Sequence, residues 1–270
     1  MKKTIITLTL LAGISLNLFA QREIPMFFDK EKGLTVGSWI IRGATYSTDG
    51  SKIATVFNNK KIAIWEAVSG REICKLAGHS DDAFDIMFSP NGRQLASFAY
   101  DSTIKIWDTT SGQLIRTITS DVDSITFSPD GNIILGTSSD KGFALKIWNI
   151  TNGSEIRSLV GHTNTVWSIT YSPDGKQLVT ASDDRSIKIW DTGTGQTIRT
   201  INGEKPFMKA IYSPNGRNIA AYAYDPSGRR DGNYSIRIYN PENGQETRVI
   251  PVTPSSNNDI MYSPDGKSLL

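Results

Sequence analysis

The residues best able to do chemistry in this chain are few. They are His79 and His162, the single cysteine Cys74, and two adjacent acid pairs, Asp81-Asp82 and Asp183-Asp184. Covalent catalysis needs a nucleophile with a base in hydrogen-bond reach. A structural metal centre needs about four clustered ligands. One cysteine excludes an intrachain disulfide framework and a cysteine-rich zinc site. Two histidines argue against a multi-His metal centre. No nucleophile elbow, metal-ligand cluster or glycine-rich phosphate loop is present. The sequence therefore offers no catalytic residue, no metal ligand set and no cofactor site, and Cys74 reads as a small buried strand residue.

The chain has 270 residues, 38% hydrophobic and 21% charged, which fits a folded protein and not a disordered one. Its formal charge is +2, but Lys2 and Lys3 stand in a first segment that holds no acid. They account for the excess of the 29 basic over the 27 acidic residues, so the remainder is neutral. A neutral chain lacks the Lys and Arg surplus that phosphate binding requires, which argues against a nucleic-acid partner. Residues 1–20, MKKTIITLTLLAGISLNLFA, combine a basic start, an apolar core and Ala20 before an expected cut at Gln21. They are expected to be a signal peptide, which places the mature chain in the periplasm or outside the cell. No later stretch is long and apolar enough to span a membrane.

The rest is a repeat. Ser-Pro-Asp/Asn-Gly recurs at Ser89, Ser128, Ser172, Ser213 and Ser263, with the variant Ser-Thr-Asp-Gly at Ser47. These serines stand 42, 39, 44, 41 and 50 residues apart. A period near forty marks a repeat architecture. In phase with it run Trp65-Glu66, Trp107-Asp108, Trp148-Asn149, Trp190-Asp191 and Tyr239-Asn240, each followed by a glycine five residues after the aromatic. Between the marks, apolar and polar residues alternate with period two, as in Ser186-Ile187-Lys188-Ile189-Trp190. Pro sets φ and Gly accepts positive φ, so each tetrad predicts a tight turn. Each unit reads as four short strands, and the fold class is all-β.

Gly161-His162, the Ser172–Gly175 tetrad, Ser182-Asp183-Asp184 and Ile187-Lys188-Ile189-Trp190-Asp191 together resemble a blade of the WD-repeat β-propeller family. The resemblance covers residues 27–270 and implies a propeller of four-stranded antiparallel blades, about five complete and a partial sixth. The repeats run approximately over 40–78, 79–118, 119–160, 161–202, 203–250 and 251–270. It also implies a buried hydrogen-bonded tetrad, placed at His162, Ser182, Asp184 and Trp190 in the fourth repeat. His79, Asp101 and Trp107 remain in the second repeat, with Ala99 at the serine position. Ser138, Asp140 and Trp148 remain in the third. Both histidines thereby become structural. Residues 27–38 align with an outermost strand and are expected to close the last blade. The ring is then incomplete as given, to be finished by further C-terminal residues or another chain.

The family often binds partners on the rim that carries the turn after the tetrad acid. On the repeat register the rim positions of the first strands are Arg42, Phe84, Asp123, Trp167, Met208 and Asn258. Those just before the tetrad acid are Asn58, Tyr100, Ser139, Asp183 and Tyr224. Aromatic residues, Met and Arg are the types enriched in interface cores. The segment from Asp225 to Tyr239 is longer than its counterpart Asp184 to Trp190 and brings Arg229 and Arg230 to the same rim. The expected function is an exported, non-enzymatic scaffold binding a protein or peptide. The alternative is a gating propeller of a longer enzyme, for example a peptidase.

Overall fold

The computed structural model describes residues 27–29, 33–36, 39–57, 60–122, 124–137, 143–225, 234–252, 260–263 and 265–269. Every regular element among them is a strand. The first sheet orders β1 (Phe27–Asp29), β2 (Gly33–Val36), β3 (Trp39–Tyr46), β4 (Lys52–Phe57), β5 (Ile62–Glu66) and β6 (Glu72–Leu76). The second holds β7 (Ala83–Phe88), β8 (Gln94–Ala99), β9 (Thr103–Asp108) and β10 (Leu114–Thr119). The third holds β11 (Ser124–Phe127), β12 (Ile133–Thr137), β13 (Leu145–Asn149) and β14 (Glu155–Leu159). The fourth holds β15 (Val166–Tyr171), β16 (Gln177–Ser182), β17 (Ser186–Asp191) and β18 (Thr197–Asn202). The fifth holds β19 (Phe207–Tyr212), β20 (Ile219–Ala223), β21 (Tyr234–Tyr239) and β22 (Glu246–Val252). All pairings are antiparallel between sequence neighbours, so each sheet is one meandering blade.

The expected turns form for the expected reason. At the fourth blade Gly175 has φ 71° and its N–H donates to Ser172 O at 2.9 Å. The Ser172 hydroxyl donates to Asp174 at 2.6 Å and accepts the Gln177 N–H at 2.9 Å. One serine thus ties both sides of the hairpin, and glycine supplies the positive φ. The same backbone closure recurs at Ser47, Ser89, Ser128, Ser213 and Ser263. In the sixth repeat the described turn carries a single bridge, Tyr262 to Leu269.

Residues 33–36 depart from the expected closing strand. They pair with β3 through Thr35–Ile40 and Val36–Trp39, as an extension of the first blade. The repeat alignment identifies a strand but not the sheet it joins, and pairing across a two-residue connection closes the smallest loop.

The chain forms two compact units, Met1–Asp121 with Ile150–Gly153 and Val122–Asn149 with Ser154–Leu270. In the first, one core joins Val56, Ile62 and Ile64 of the first blade to Ile86, Leu95 and Trp107 of the second. In the second unit, one core joins Leu135 and Leu145 to Val166, Leu178 and Trp190. Another joins Val179 and Ile187 to Phe207, Ile219 and Tyr239. The second strand of each blade is buried along nearly its whole length, β20 completely. These strands therefore run apolar and small (Ile219-Ala220-Ala221-Tyr222-Ala223) instead of alternating.

A second device ties blades to turns. Arg157 donates to Gly193 O at 2.9 Å, and Arg199 donates to Asn243 O at 3.2 Å and to Glu242 O at 2.5 Å. Arg116 reaches Asn152 O at 3.2 Å and Thr151 O at 2.7 Å in the first unit. Each arginine stands nine residues after its blade's Trp, and Cys74 holds that place in the first blade. Its thiol donates weakly to Thr109 O at 3.9 Å, and burial raises its pKa. Cys74 packs against the core of the first unit but is only partly buried, where the sequence suggested a buried strand residue.

Candidate functional site

Two blades carry a complete buried polar chain. In the fourth, Trp190 Nε1–H donates to Thr180 Oγ1 at 2.9 Å, Thr180 lies 2.7 Å from His162 Nε2, and His162 Nδ1 lies 2.7 Å from Asp184. In the second, Trp107 Nε1–H donates to Ser97 Oγ at 2.8 Å, Ser97 lies 2.7 Å from His79 Nε2, and His79 Nδ1 lies 2.9 Å from Asp101. The donors and acceptors fit one assignment. The hydroxyl accepts a hydrogen bond from the indole N–H and donates one to Nε2, and Nδ1–H donates to the carboxylate. Burial lowers the pKa of both imidazoles against the opposing pull of Asp101 and Asp184, which keeps them neutral. Burial alone would raise the two carboxyls. Hydrogen bonds from Thr103, His79 and the Ser80 N–H outweigh it and bring Asp101 down to about 2. Ser186, His162 and the Thr163 N–H lower Asp184 in the same way.

The hydroxyl member differs from the expectation. It is Thr180, not Ser182, and Ser97 completes the second blade where Ala99 was taken as the gap. Ser182 donates instead to Asn164 O at 3.1 Å and accepts the Asp184 N–H. A usable signal was present. The residue ten before the tryptophan is Thr55, Ser97 and Thr180 in three repeats, whereas eight before it stand Phe57, Ala99 and Ser182. Trp65 likewise donates to Thr55 at 2.8 Å.

Asp, His and a hydroxyl at these distances have the connectivity of a hydrolytic triad. Ser97 and Thr180 are 0% exposed, and each already accepts an indole N–H. A nucleophile must reach substrate, so both networks are sealed from that chemistry. Among the described residues no group of three or more His, Cys, Asp or Glu could hold a metal ion.

The third and fifth blades have apolar packing at this place. Gly136 stands at the hydroxyl position of the third blade, across from Lys146 in the same register as Thr180 across from Lys188. A Cβ on Gly136 would lie 2.7 Å from Val122 and 3.1 Å from Trp148, so Val122 fills the space. Ser138 and Asp140 lie outside the described residues. In the fifth blade Phe207 packs edge-on against Tyr239, with ring centroids 6.3 Å apart. Polar networks repay burial best when complete; the second and fourth blades keep all of one, the first keeps the Trp65–Thr55 bond, and the third and fifth pack the site with carbon.

The rim positions share a backbone device. Phe84, Trp167 and Met208 each sit at a register shift in the first strand of a four-stranded sheet, between Ala83/Asp85, Val166/Ser168 and Phe207/Lys209, and Arg42 sits at the corresponding shift in β3, between Ile41 and Gly43. A bulge leaves one residue unpaired and re-aims its side chain. The residue before the tetrad acid is then anchored beside it: the Asp183 N–H donates to Thr165 O and the Tyr100 N–H to Asp82 O.

In the first unit Phe84 packs on Phe98 and Tyr100, with centroids 4.7 and 4.6 Å away, and Tyr100 is 64% exposed. Asp82 accepts the Lys60 N–H at 2.9 Å, so the Asp81-Asp82 pair serves a turn. In the second unit Trp167 is 46% exposed and donates its indole N–H to Asp183 Oδ1 at 2.7 Å. Tyr224 donates its hydroxyl to the same oxygen, and burial followed by that carboxylate raises the phenol pKa. Met208 and Tyr224 pack on one apolar cluster. The sequence marked these residues singly; the acceptor role of Asp183 and the contact with Phe98 needed coordinates. Asn58, Asp123, Ser139, Arg229, Arg230 and Asn258 lie outside the described residues.

Comparison with known proteins agrees with this geometry. The family model "WD domain, G-beta repeat" matches residues 70–108, 112–149 and 153–191. The chain is 33% identical over 208 residues to "Nuclear distribution protein PAC1" of Arthroderma otae, covering 72% of this chain and 44% of that protein. It is 31% identical over 177 residues to "Protein tipD" of Dictyostelium discoideum, covering 64% of this chain and 27% of that protein. It is 32% identical over 126 residues to "Eukaryotic translation initiation factor 3 subunit I" of Saccharomyces cerevisiae, covering 47% of this chain and 35% of that protein. The chain thus spans less than half the length of these curated relatives. The three matched segments are WD repeats, and the sheets have the four-stranded antiparallel form of WD-repeat blades.

Proposed function

We propose that these WD-repeat blades form a non-catalytic scaffold that binds a protein or peptide through the bulge positions of their first strands. The observation that carries this is Trp167, a large aromatic side chain held at the surface by its own hydrogen bond to Asp183. Rigid, exposed aromatic residues on a fixed backbone are what interface centres use. Phe84 with Tyr100 repeats the theme in the second blade. One relative supports the reading by its name, which makes it a subunit of a larger factor.

The test is a Phe84→Ala/Trp167→Ala double variant used as bait beside the unaltered chain. Trp167 is 46% exposed, so its truncation is expected to leave the fold intact. The expected result is a variant that still unfolds cooperatively, with a modest loss of stability from Phe84, and that loses the proteins retained by the unaltered chain. A folded variant that keeps every partner overturns the rim assignment.

Residues 1–20 lie outside the described residues. Their basic start and apolar core support removal on export, and with it a periplasmic or secreted scaffold. Terminal sequencing of the protein recovered from its host is expected to begin at Gln21. A start at Met1 overturns export.

A further inference from the structure

Trp167, Asp183 and Tyr224 form a hydrogen-bonded cluster that leaves one carboxylate oxygen available. Two side-chain donors, the Trp167 indole and the Tyr224 hydroxyl, converge on Asp183 Oδ1. Among the described residues Oδ2 has no hydrogen-bond or ion-pair partner. Both donors on Oδ1 are neutral, so they solvate the carboxylate without cancelling its charge. A half-buried carboxylate without a cation favours acquiring one from outside.

The geometry of the cluster narrows the choice. The indole N–H lies in the ring plane, so the 2.7 Å bond places the carboxylate at the ring's edge and not over its face, and the side chain is 46% exposed. A group lying on that face meets the carboxylate with its own edge. A guanidinium suits both surfaces, since it is flat, stacks on aromatic faces and donates from its rim to carboxylates. An ammonium meets the charge but not the face. A neutral aromatic ring meets the face but leaves the charge unpaired.

The geometry points to Trp167, Asp183 and Tyr224 as a recognition site for an arginine side chain presented by a protein or peptide partner. The site rests on the interaction reading above and gives that surface a chemical preference.

The experiment is NMR of the full chain labelled at tryptophan nitrogen, with the Trp167 signal assigned by its loss in Trp167→Phe. Three probes are titrated: acetyl-Gly-Arg-Gly-amide, the same peptide with citrulline, and the same peptide with lysine. Citrulline keeps the shape of arginine and removes its charge. The arginine peptide is expected to move the Trp167 indole signal saturably and about tenfold more tightly than citrulline, the value of one charge-assisted hydrogen bond. Lysine is expected to fall between them. Asp183→Asn, checked for an unchanged melting curve, is expected to erase the arginine preference. Equal responses to arginine and citrulline, equal responses to arginine and lysine, or no response at Trp167 each overturn the assignment. The peptide comparison in the unaltered chain stands even if the variant fails to fold. If the double variant above loses its partners while arginine shows no preference, only the guanidinium site falls. If the variant keeps its partners, the interaction reading falls with it.

Discussion

Thr180 and Ser97 show what a single hydroxyl does in this chain. Each accepts a hydrogen bond from an indole N–H and donates one to a buried imidazole, so removing either oxygen strands two polar groups at once. Thr180→Val keeps the volume and deletes the hydrogen bonds. It is expected to cost about 1–3 kcal/mol of stability, measured by denaturant unfolding. A variant as stable as the parent would contradict the network. His, Asp and Trp of these networks were legible because each sits in its own short motif. The hydroxyl was not, because Thr180 and Ser182 are two residues apart on one strand and period two gives both the same face. Constant spacing to the tryptophan was the better guide.

Strands and turns were the most legible elements. Ser-Pro-Asp-Gly dictates its turn through one hydroxyl and one positive φ, and the turns fix where strands start and stop. The bulges were not legible, since a register shift is a relation between two strands and leaves no mark on either. The partner of residues 33–36 was hidden for the same reason. Two substitutions probe elements. Gly195 has φ 75°, and a Cβ there would lie 2.8 Å from Leu159, so Gly195→Ala is expected to cost at least about 1 kcal/mol. Gly136→Ser would restore the hydroxyl of the third blade, but its Cβ would collide with Val122. It is expected to destabilise by about 1–3 kcal/mol, with part recovered by Val122→Ala, as read in the same unfolding assay. Stabilisation by Gly136→Ser alone would show that the third blade has kept room for a network.

For the whole molecule, composition and repeat period together conveyed the fold class, and the absence of charge excess spoke against a nucleic-acid surface. Neither could name a partner, since many functions share one blade design. Acid response is a property of the whole chain because the networks lie in both compact units. His79 and His162 are depressed by burial, so their contribution is full above the unfolded value of about 6.5 and is lost as pH falls below it. Asp101, held at about 2, adds a contribution that is full above about 4 and is lost as pH falls toward its folded value. Melting temperature is therefore expected to be level between pH 7 and 8, to decline below about 6.5 and to fall more steeply below about 4. A rise on acidification from pH 7 to 5 would contradict the neutral assignment of both histidines.

The central claim is that the bulge positions meet the partner, and site-specific photo-crosslinking tests it most directly. A benzophenone amino acid is placed singly at positions 84 and 167, and at the exposed outer-strand positions 115 and 198 as controls. Illumination in the native host is expected to give one discrete adduct from 84 and 167 and none from 115 and 198. Adducts from the outer strands with none from the bulges would contradict it.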